Sequence, residues 1–317
     1  MHHEPNSLLI VSRDAIAYKR LIHAHDLPSL NIVAATTSVA QALEYAGACH
    51  IIFGEPHLVS QLLPKAQKLH WVQSTWAGVT PLIGAKTCRP ILITGIKGAY
   101  GPLMCEYVLA YMLMHERRIL IRYEHQKKHQ WYAEAPGMLR GKRIGLMGVG
   151  SIGSDVARRA KTFDMRTRGF TRGSQACKYI DRYFHGDQLI EFITDLDYLV
   201  CLLPETPATN GLIDRTLLRA MRPDSVLINA GRGNAIDQDA LVWALNTGQI
   251  SRAVLDVFQQ EPLPADHVFW ETPNLIITSH TAALSISEDI ADIFIDNYNR
   301  LICGAPLTGL IDVEQGY

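Results

Sequence analysis

The chain has 317 residues, 48% of them hydrophobic and 19% charged, with a formal net charge of −1. That composition excludes global disorder, supports a sizeable core and leaves length for two domains of ordinary size. The balanced charge argues against a nucleic-acid surface or a polybasic membrane patch, and no apolar run approaches the roughly 20 residues of a membrane span.

Met1-His2-His3-Glu4 carries neither the basic nor the apolar segment of a secretory signal. Six cysteines, at positions 49, 88, 105, 177, 201 and 303, form no C-x-x-C pair and no zinc spacing, and the thirteen histidines form no H-E-x-x-H pattern. A cytoplasmic protein with reduced thiols and no metal is expected. Along the first hundred residues, Ser7–Val11, Ile32–Ala35, Ile51–Phe53, Trp71–Gln73 and Ile91–Thr94 read as buried strands. Asp14–His23, Val39–Ala46 and His57–Leu63 read as the helices between them. Such alternation implies a parallel sheet covered on both faces. From Pro102 to about Lys128 there is no glycine and no internal proline, which predicts one long helix with Pro102 in its first turn.

A second alternating set follows. Strands are expected at Arg143–Met147, Thr167–Phe170, Tyr198–Leu202, Ser225–Asn229, Ala253–Val257 and Leu275–Thr278. Helices are expected at Ile152–Thr162, Gln188–Thr194, Asp214–Ala220 and Asp237–Thr247, and Ser285–Cys303 reads as a last amphipathic helix. The first of these strands runs directly into Gly148-Val149-Gly150-Ser151-Ile152-Gly153, a G-x-G-x-x-G that opens a helix. Gly148 suits a tight turn, Gly150 lets a pyrophosphate approach the backbone, and Gly153 lets helix and strand pack closely. The helix N-terminus at Ser151, Ile152 and Gly153 then faces the phosphates with free N–H groups. Dinucleotide binding is the first functional expectation.

The end of the next strand normally separates NAD from NADP by placing a carboxylate on the ribose 2′-hydroxyl. Here the sequence reads Arg168-Gly169-Phe170-Thr171-Arg172-Gly173-Ser174, with no acid at the expected place. A guanidinium at Arg172, with the hydroxyls of Thr171 and Ser174, suits a 2′-phosphate. NADPH is therefore the expected cofactor, with NAD as the less selective alternative.

Three further blocks each begin where a strand ends: Asn229-Ala230-Gly231-Arg232-Gly233, Leu255-Asp256-Val257-Phe258-Gln259-Gln260-Glu261-Pro262, and Ser279-His280-Thr281-Ala282-Ala283. Open α/β sheets place their ligands at that edge. This order resembles the D-2-hydroxyacid dehydrogenase family over nearly the whole chain, from Trp76-Ala77-Gly78-Val79 to the His280 block. It is most similar to the glyoxylate/hydroxypyruvate reductases, whose NADP-preferring members Arg172 also matches. Gln259, where an acid is frequent, and Thr281, where isoleucine is frequent, depart from the pattern without removing a reacting group.

Reduction of a 2-oxo acid moves a hydride to the carbonyl carbon and a proton to the carbonyl oxygen. An imidazole at His280 can supply the proton, a carboxylate at Glu261 can fix and favour the protonated ring, and Arg232 can grip the substrate carboxylate and polarise the carbonyl. The resemblance implies these same catalytic roles for Arg232, Glu261 and His280. It implies cofactor contacts at Leu203, Pro204, Ala230, Arg232, Asp256 and His280, Asp256 facing the carboxamide. It also implies substrate contacts at Trp76, Ala77, Gly78, Val79, Tyr100, Arg232 and His280.

The expected fold is α/β: two doubly wound parallel-sheet domains, flavodoxin-like and Rossmann, with a cleft between them. The resemblance implies a substrate domain of residues 1–97 and 284–317, a cofactor domain of 98–283, and a homodimer made through the Pro102–Lys128 helix. An appended regulatory domain, as in phosphoglycerate dehydrogenase, is not expected in a chain ending at Tyr317. The expected reaction is NADPH-dependent reduction of a small 2-oxo acid to the D-2-hydroxy acid. The alternatives are a bulkier 2-oxo acid and a non-catalytic, nicotinamide-sensing binding protein, for which no long disordered interaction tail is visible.

Overall fold

The computed structural model describes residues 5–85, 87–88 and 90–312. Met1–Glu4, read above for a signal, and the end at Tyr317 lie outside the described residues. The chain divides into two compact units, residues 1–99 with 285–317 and residues 100–284.

Unit one begins β1 (Asn6–Val11), α1 (Ala15–His23), β2 (Leu30–Thr36), α2 (Val39–Ala46), β3 (Ile51–Gly54), α3 (Pro56–Val59), β4 (Trp71–Ser74) and β5 (Leu92–Thr94). The strands form one sheet in the order β2-β1-β3-β4-β5, parallel throughout. This is the flavodoxin-like order. Leu8–Val11 and Ile51–Phe53 are buried without alternation, as strands covered on both faces must be. The helix expected over His57–Leu63 ends early, at Val59. The Ser60 hydroxyl and the Gln61 amide both donate to the His57 carbonyl, at 3.1 and 2.9 Å, offering the backbone an alternative to the helical ladder.

Unit two holds α4 (Gly101–Glu116), α5 (Ile119–Lys127), β6 (Arg143–Met147), α6 (Ser151–Thr162), β7 (Arg166–Phe170), β8 (Arg182–Phe184), α7 (Leu189–Ile193), β9 (Tyr198–Cys201), α8 (Arg215–Ala220), β10 (Val226–Asn229), α9 (Gln238–Asn246), β11 (Arg252–Leu255) and β12 (Leu275–Ile277). Its seven strands run β12-β11-β10-β9-β6-β7-β8, all parallel. Strand order reverses between β6 and β9, which is the switch point of a Rossmann fold. Strand β8 has three residues and begins on an exposed arginine, too little apolar pattern to be read from sequence.

The single helix expected from Pro102 to Lys128 is two helices. The break is at Arg118, whose φ of 52° is left-handed. Glu116 is buried and accepts from the Tyr198 hydroxyl at 2.6 Å, with the Lys142 ammonium 3.5 Å away. Arg118 and Arg122 fold back on Tyr132 and Glu134. Long-range anchors at the end of α4 thus outweigh the helical propensity of the next residues.

The chain returns to unit one as α10 (Ser287–Ile302). Phe294 stacks on Trp71, with centroids 5.3 Å apart, and on Phe53 at 4.8 Å. The buried Asn297 amide donates to Gln73 Oε1 at 2.8 Å, and its oxygen accepts from the Thr308 N–H at 2.8 Å. Those bonds need the right partner as well as burial, and so pin α10 in one register.

Candidate active site

The turn after β6 is built for a close backbone approach. Gly148 has a φ of +96°, and a Cβ there would sit 3.0 Å from the Leu202 carbonyl oxygen. A Cβ on Gly153 would sit 2.3 Å from the Gly148 oxygen, so only glycine lets α6 start this close to the turn. Nothing lies within 4 Å of the Cβ position at Gly150. That open cradle, in front of the first N–H groups of α6 at Ser151, Ile152 and Gly153, fits a dinucleotide pyrophosphate.

The β7 turn lies beside it, because the Gly148 N–H donates to the Phe170 carbonyl at 3.0 Å. Thr171 is held by its hydroxyl on the Ser174 carbonyl (2.7 Å) and by its N–H on the Phe184 carbonyl (3.1 Å). His185 Nδ1 lies 2.9 Å from the Thr171 carbonyl oxygen. Arg172 and Ser174 are exposed on this turn. The main chain of Leu203 passes under the β10 turn: a Cβ on Gly231 would lie 2.7 Å from both its nitrogen and its oxygen. Pro204 gives its carbonyl to the Thr209 hydroxyl at 2.7 Å. Ala230 is buried against Met104 and Ala282.

The three blocks downstream are locked to one another. Gly233 touches the Phe258 main chain so tightly that a Cβ would fall 2.0 Å from its carbonyl carbon. Phe258 donates its N–H to Glu261 Oε1 at 2.9 Å, and the other oxygen, Oε2, meets His280 Nδ1 at 2.7 Å. That contact leaves Nε2 as the outward nitrogen of a half-exposed imidazole. Arg232 donates to the Gly231 carbonyl at 2.7 Å. Burial pulls its guanidinium below the usual range, and the nearby carboxylates of Glu205 and Glu261 oppose that pull.

Asp256 holds the His280 turn. It is 2% exposed; Oδ1 accepts from the Thr278 hydroxyl (2.5 Å) and the Thr281 N–H (2.8 Å), and Oδ2 from the Ala282 N–H (3.0 Å). The His280 N–H donates to the Asp256 carbonyl at 2.8 Å. His280 itself has a φ of 55°, left-handed backbone that histidine adopts more readily than most residues but still at a cost.

In unit one, Ser74 organises the loop after β4. Its hydroxyl donates to the Trp76 carbonyl at 2.8 Å and accepts from the Trp76 N–H at 2.9 Å. Among the described residues, no hydrogen bond takes the N–H groups of Ala77, Gly78 or Val79, although Val79 is buried. Successive N–H groups left open in this way can receive an anion where the turn aims them together. Trp76 is 39% exposed. Tyr100, in unit two, is buried at the start of α4.

Sequence reasoning missed several supports. Asn229, fully buried, accepts from the Gly231 N–H (3.1 Å) and donates to the Arg232 carbonyl (3.0 Å), and so shapes the arginine turn. The Thr278 hydroxyl joins Asp256 to the Tyr107 hydroxyl, 2.9 Å away. Burial pushes the Tyr107 phenol up, against the lowering effect of Thr278. Gln259 donates to the Ile236 carbonyl at 3.1 Å, which a carboxylate in its place could not do. A polar residue at the end of an apolar strand is the only local signal for Asn229 and Thr278. Burial pushes the Cys49 and Cys201 thiols up to about 12 and Cys105 up to about 11, so none is a thiolate at neutral pH. Among the described residues no cluster suited to a metal ion occurs, and no helix is long and apolar enough to cross a membrane.

A dinucleotide cradle at a Rossmann switch point, beside a carboxylate–imidazole pair and an arginine, defines an NAD(P)-dependent oxidoreductase. The family model described as "D-isomer specific 2-hydroxyacid dehydrogenase, NAD binding domain" matches residues 109–282. A glyoxylate/hydroxypyruvate reductase A from Serratia proteamaculans is 30% identical, the match covering 84% of this chain and 87% of the relative. The crystal structure of a D-isomer specific 2-hydroxyacid dehydrogenase family protein from Aeromonas salmonicida is 40% identical with a TM-score of 0.90, covering 97% of this chain and 99% of that one. An NADPH-dependent glyoxylate/hydroxypyruvate reductase from Sinorhizobium meliloti, in complex with NADP and sulfate, is 25% identical with a TM-score of 0.86, covering 98% and 100%. The chain belongs to the D-isomer specific 2-hydroxyacid dehydrogenase family.

Proposed function

We propose that this chain reduces a small 2-oxo acid of the glyoxylate/hydroxypyruvate type to the D-2-hydroxy acid, with NADPH as its preferred reductant. When bound, the nicotinamide supplies the hydride for the carbonyl carbon. His280 holds at Nε2 the proton for the carbonyl oxygen, and Glu261 fixes the ring through Nδ1. Arg232 polarises the carbonyl and takes part of the developing negative charge, its partly buried position strengthening the interaction. The N–H groups of Ala77, Gly78 and Val79 receive the substrate carboxylate, with Trp76 and Tyr100 limiting substrate size. The observation that carries this reading is the 2.7 Å Glu261–His280 pair on the same sheet edge as the glycine cradle. Initial rates over a panel of 2-oxo acids, with NADPH and with NADH, test it. Turnover of glyoxylate or hydroxypyruvate is expected, and cofactor binding without turnover of any 2-oxo acid would instead identify a binding protein.

Arg172, Thr171 and Ser174 are assigned to the 2′-phosphate, and Leu203, Pro204, Ala230 and Asp256 to the rest of the cofactor site. Arg172→Ala should weaken NADPH binding by more than about tenfold, the worth of a charge-assisted contact, and NADH binding by less than about twofold. Dissociation constants from nicotinamide fluorescence titration decide it; equal losses would mean that Arg172 does not read the phosphate.

The protein is assigned to the cytoplasm as a homodimer formed through the α4–α5 region. In support, α5 buries none of its own residues, and Ile119, Leu120, Ile121 and Tyr123 on it are 41–53% exposed, with Trp131 at 94%. Exposed apolar residues grouped this densely are the mark of an interaction surface.

A further inference from the structure

The carboxyl edge of the unit-one sheet carries an acid and a histidine that the roles above leave unused. Gly54 closes β3 where only glycine fits, since a Cβ would lie 2.3 Å from the Val11 carbonyl oxygen. The next residue, Glu55, is 4% exposed, and its carboxylate turns back toward the end of β1. Oε1 accepts from the Ser12 hydroxyl at 3.0 Å and from the Arg13 N–H at 2.7 Å. Oε2 is buried with no hydrogen-bond partner and faces His57 Nε2 at 3.8 Å. The His57 side chain is 42% exposed, and its ring lies against that of Trp76, centroids 5.2 Å apart and tilted by 31°. Glu55, His57 and Trp76 therefore run from the floor of this edge to the rim of the loop bearing the open N–H groups.

A buried carboxylate oxygen without a donor is costly to keep, so its retention calls for a use. The 3.8 Å separation is about 1 Å too long for a hydrogen bond but within the reach of an ion pair, and Nε2 is the ring nitrogen that faces the carboxylate. With Nε2 turned to Glu55, Nδ1 is the nitrogen left to face a ligand. A neutral Nδ1 accepts and a protonated one donates; a hydroxyl group, being donor and acceptor at once, is served by either. Hydrogen or methyl in that position offers the ring nitrogen no partner.

Resting on the reading of the chain as a 2-oxo acid reductase, we propose that His57, positioned by Glu55, is a specificity residue that recognises a hydroxyl on the carbon next to the substrate carbonyl. Glu55 acts through His57 and does not touch the substrate.

The test compares hydroxypyruvate with pyruvate, which differ only in that hydroxyl, at saturating NADPH. His57→Phe keeps the ring against Trp76 and removes both nitrogens; His57→Ala, at a half-exposed site, secures a folded variant that brings no donor or acceptor of its own. In each, the ratio of kcat/KM for hydroxypyruvate over pyruvate should fall about tenfold, mainly through KM. Glu55→Gln should lower the ratio about threefold with kcat within about twofold, a split that a merely structural role would not produce. A ratio within twofold of wild type in both His57 variants overturns the proposal. So does a wild-type enzyme that turns over other 2-oxo acids but not hydroxypyruvate, and that outcome leaves the reductase reading standing. A wild type inactive on every 2-oxo acid removes both.

Discussion

His280→Ala is expected to lower kcat for 2-oxo acid reduction by roughly 100- to 10,000-fold, the range for loss of a positioned proton donor. The affinity for NADPH should stay within about threefold. The reason for that separation is structural. Three hydrogen bonds that fasten the turn run to the Asp256 carboxylate, from Thr278, Thr281 and Ala282, and two more use the main-chain N–H groups of Thr278 and of residue 280, which alanine keeps; only the Glu261 contact is lost. The cradle at Gly148–Gly153 is likewise untouched. One complication is the left-handed φ of 55°, which alanine tolerates less well than histidine does. His280→Asn removes that complication, because asparagine accepts positive φ and cannot deliver a proton at neutral pH. Both variants should therefore show the same loss in single-turnover rate. A kcat within threefold of wild type in His280→Asn would falsify the assignment of the proton to this imidazole.

What could be read from sequence, and what could not, divides along physical lines. The glycines of the β6 turn were legible because each answers a local backbone demand: a positive φ at 148, an open approach at 150, a helix–turn contact at 153. The two parallel sheets, β8 excepted, followed from alternation of strands and helices, since parallel crossovers permit few arrangements. Arg232, Glu261 and His280 were legible as residue types at strand ends, and the Glu261–His280 contact turns two of those positions into geometry. The interruption at Arg118 was not legible. It depends on Glu116 meeting Tyr198, 82 residues away, and no local pattern encodes that partner. Glu55 was hidden in the same way, its partners Ser12 and Arg13 lying about forty residues earlier at the end of another strand. Buried polar residues draw their meaning from distant neighbours, which is why pattern finds strands before it finds their supports.

Asp256→Ala is expected to damage stability and turnover together. Three donors lose their acceptor in that variant, and one of them, the Ala282 N–H, belongs to a residue only 7% exposed. Thr281 is exposed and Ala282 is buried, so the loss should be about 2–4 kcal/mol, seen as a lower urea midpoint at unchanged slope. The Thr278 hydroxyl keeps Tyr107 as a partner, which limits the damage on that side. Freed from these bonds, residue 280 should relax from its left-handed backbone and swing the imidazole off Glu261, lowering kcat by at least tenfold. Asp256→Asn should fall between, because one oxygen can still accept while the amide opposes a neighbouring N–H. The resemblance to known dehydrogenases assigns Asp256 instead to the carboxamide of the nicotinamide. On that view alone, the alanine variant would unfold at the wild-type midpoint and lose cofactor affinity. With both oxygens already engaged by the His280 turn, the larger effect belongs to the midpoint and to kcat, and an unchanged urea curve would refute it.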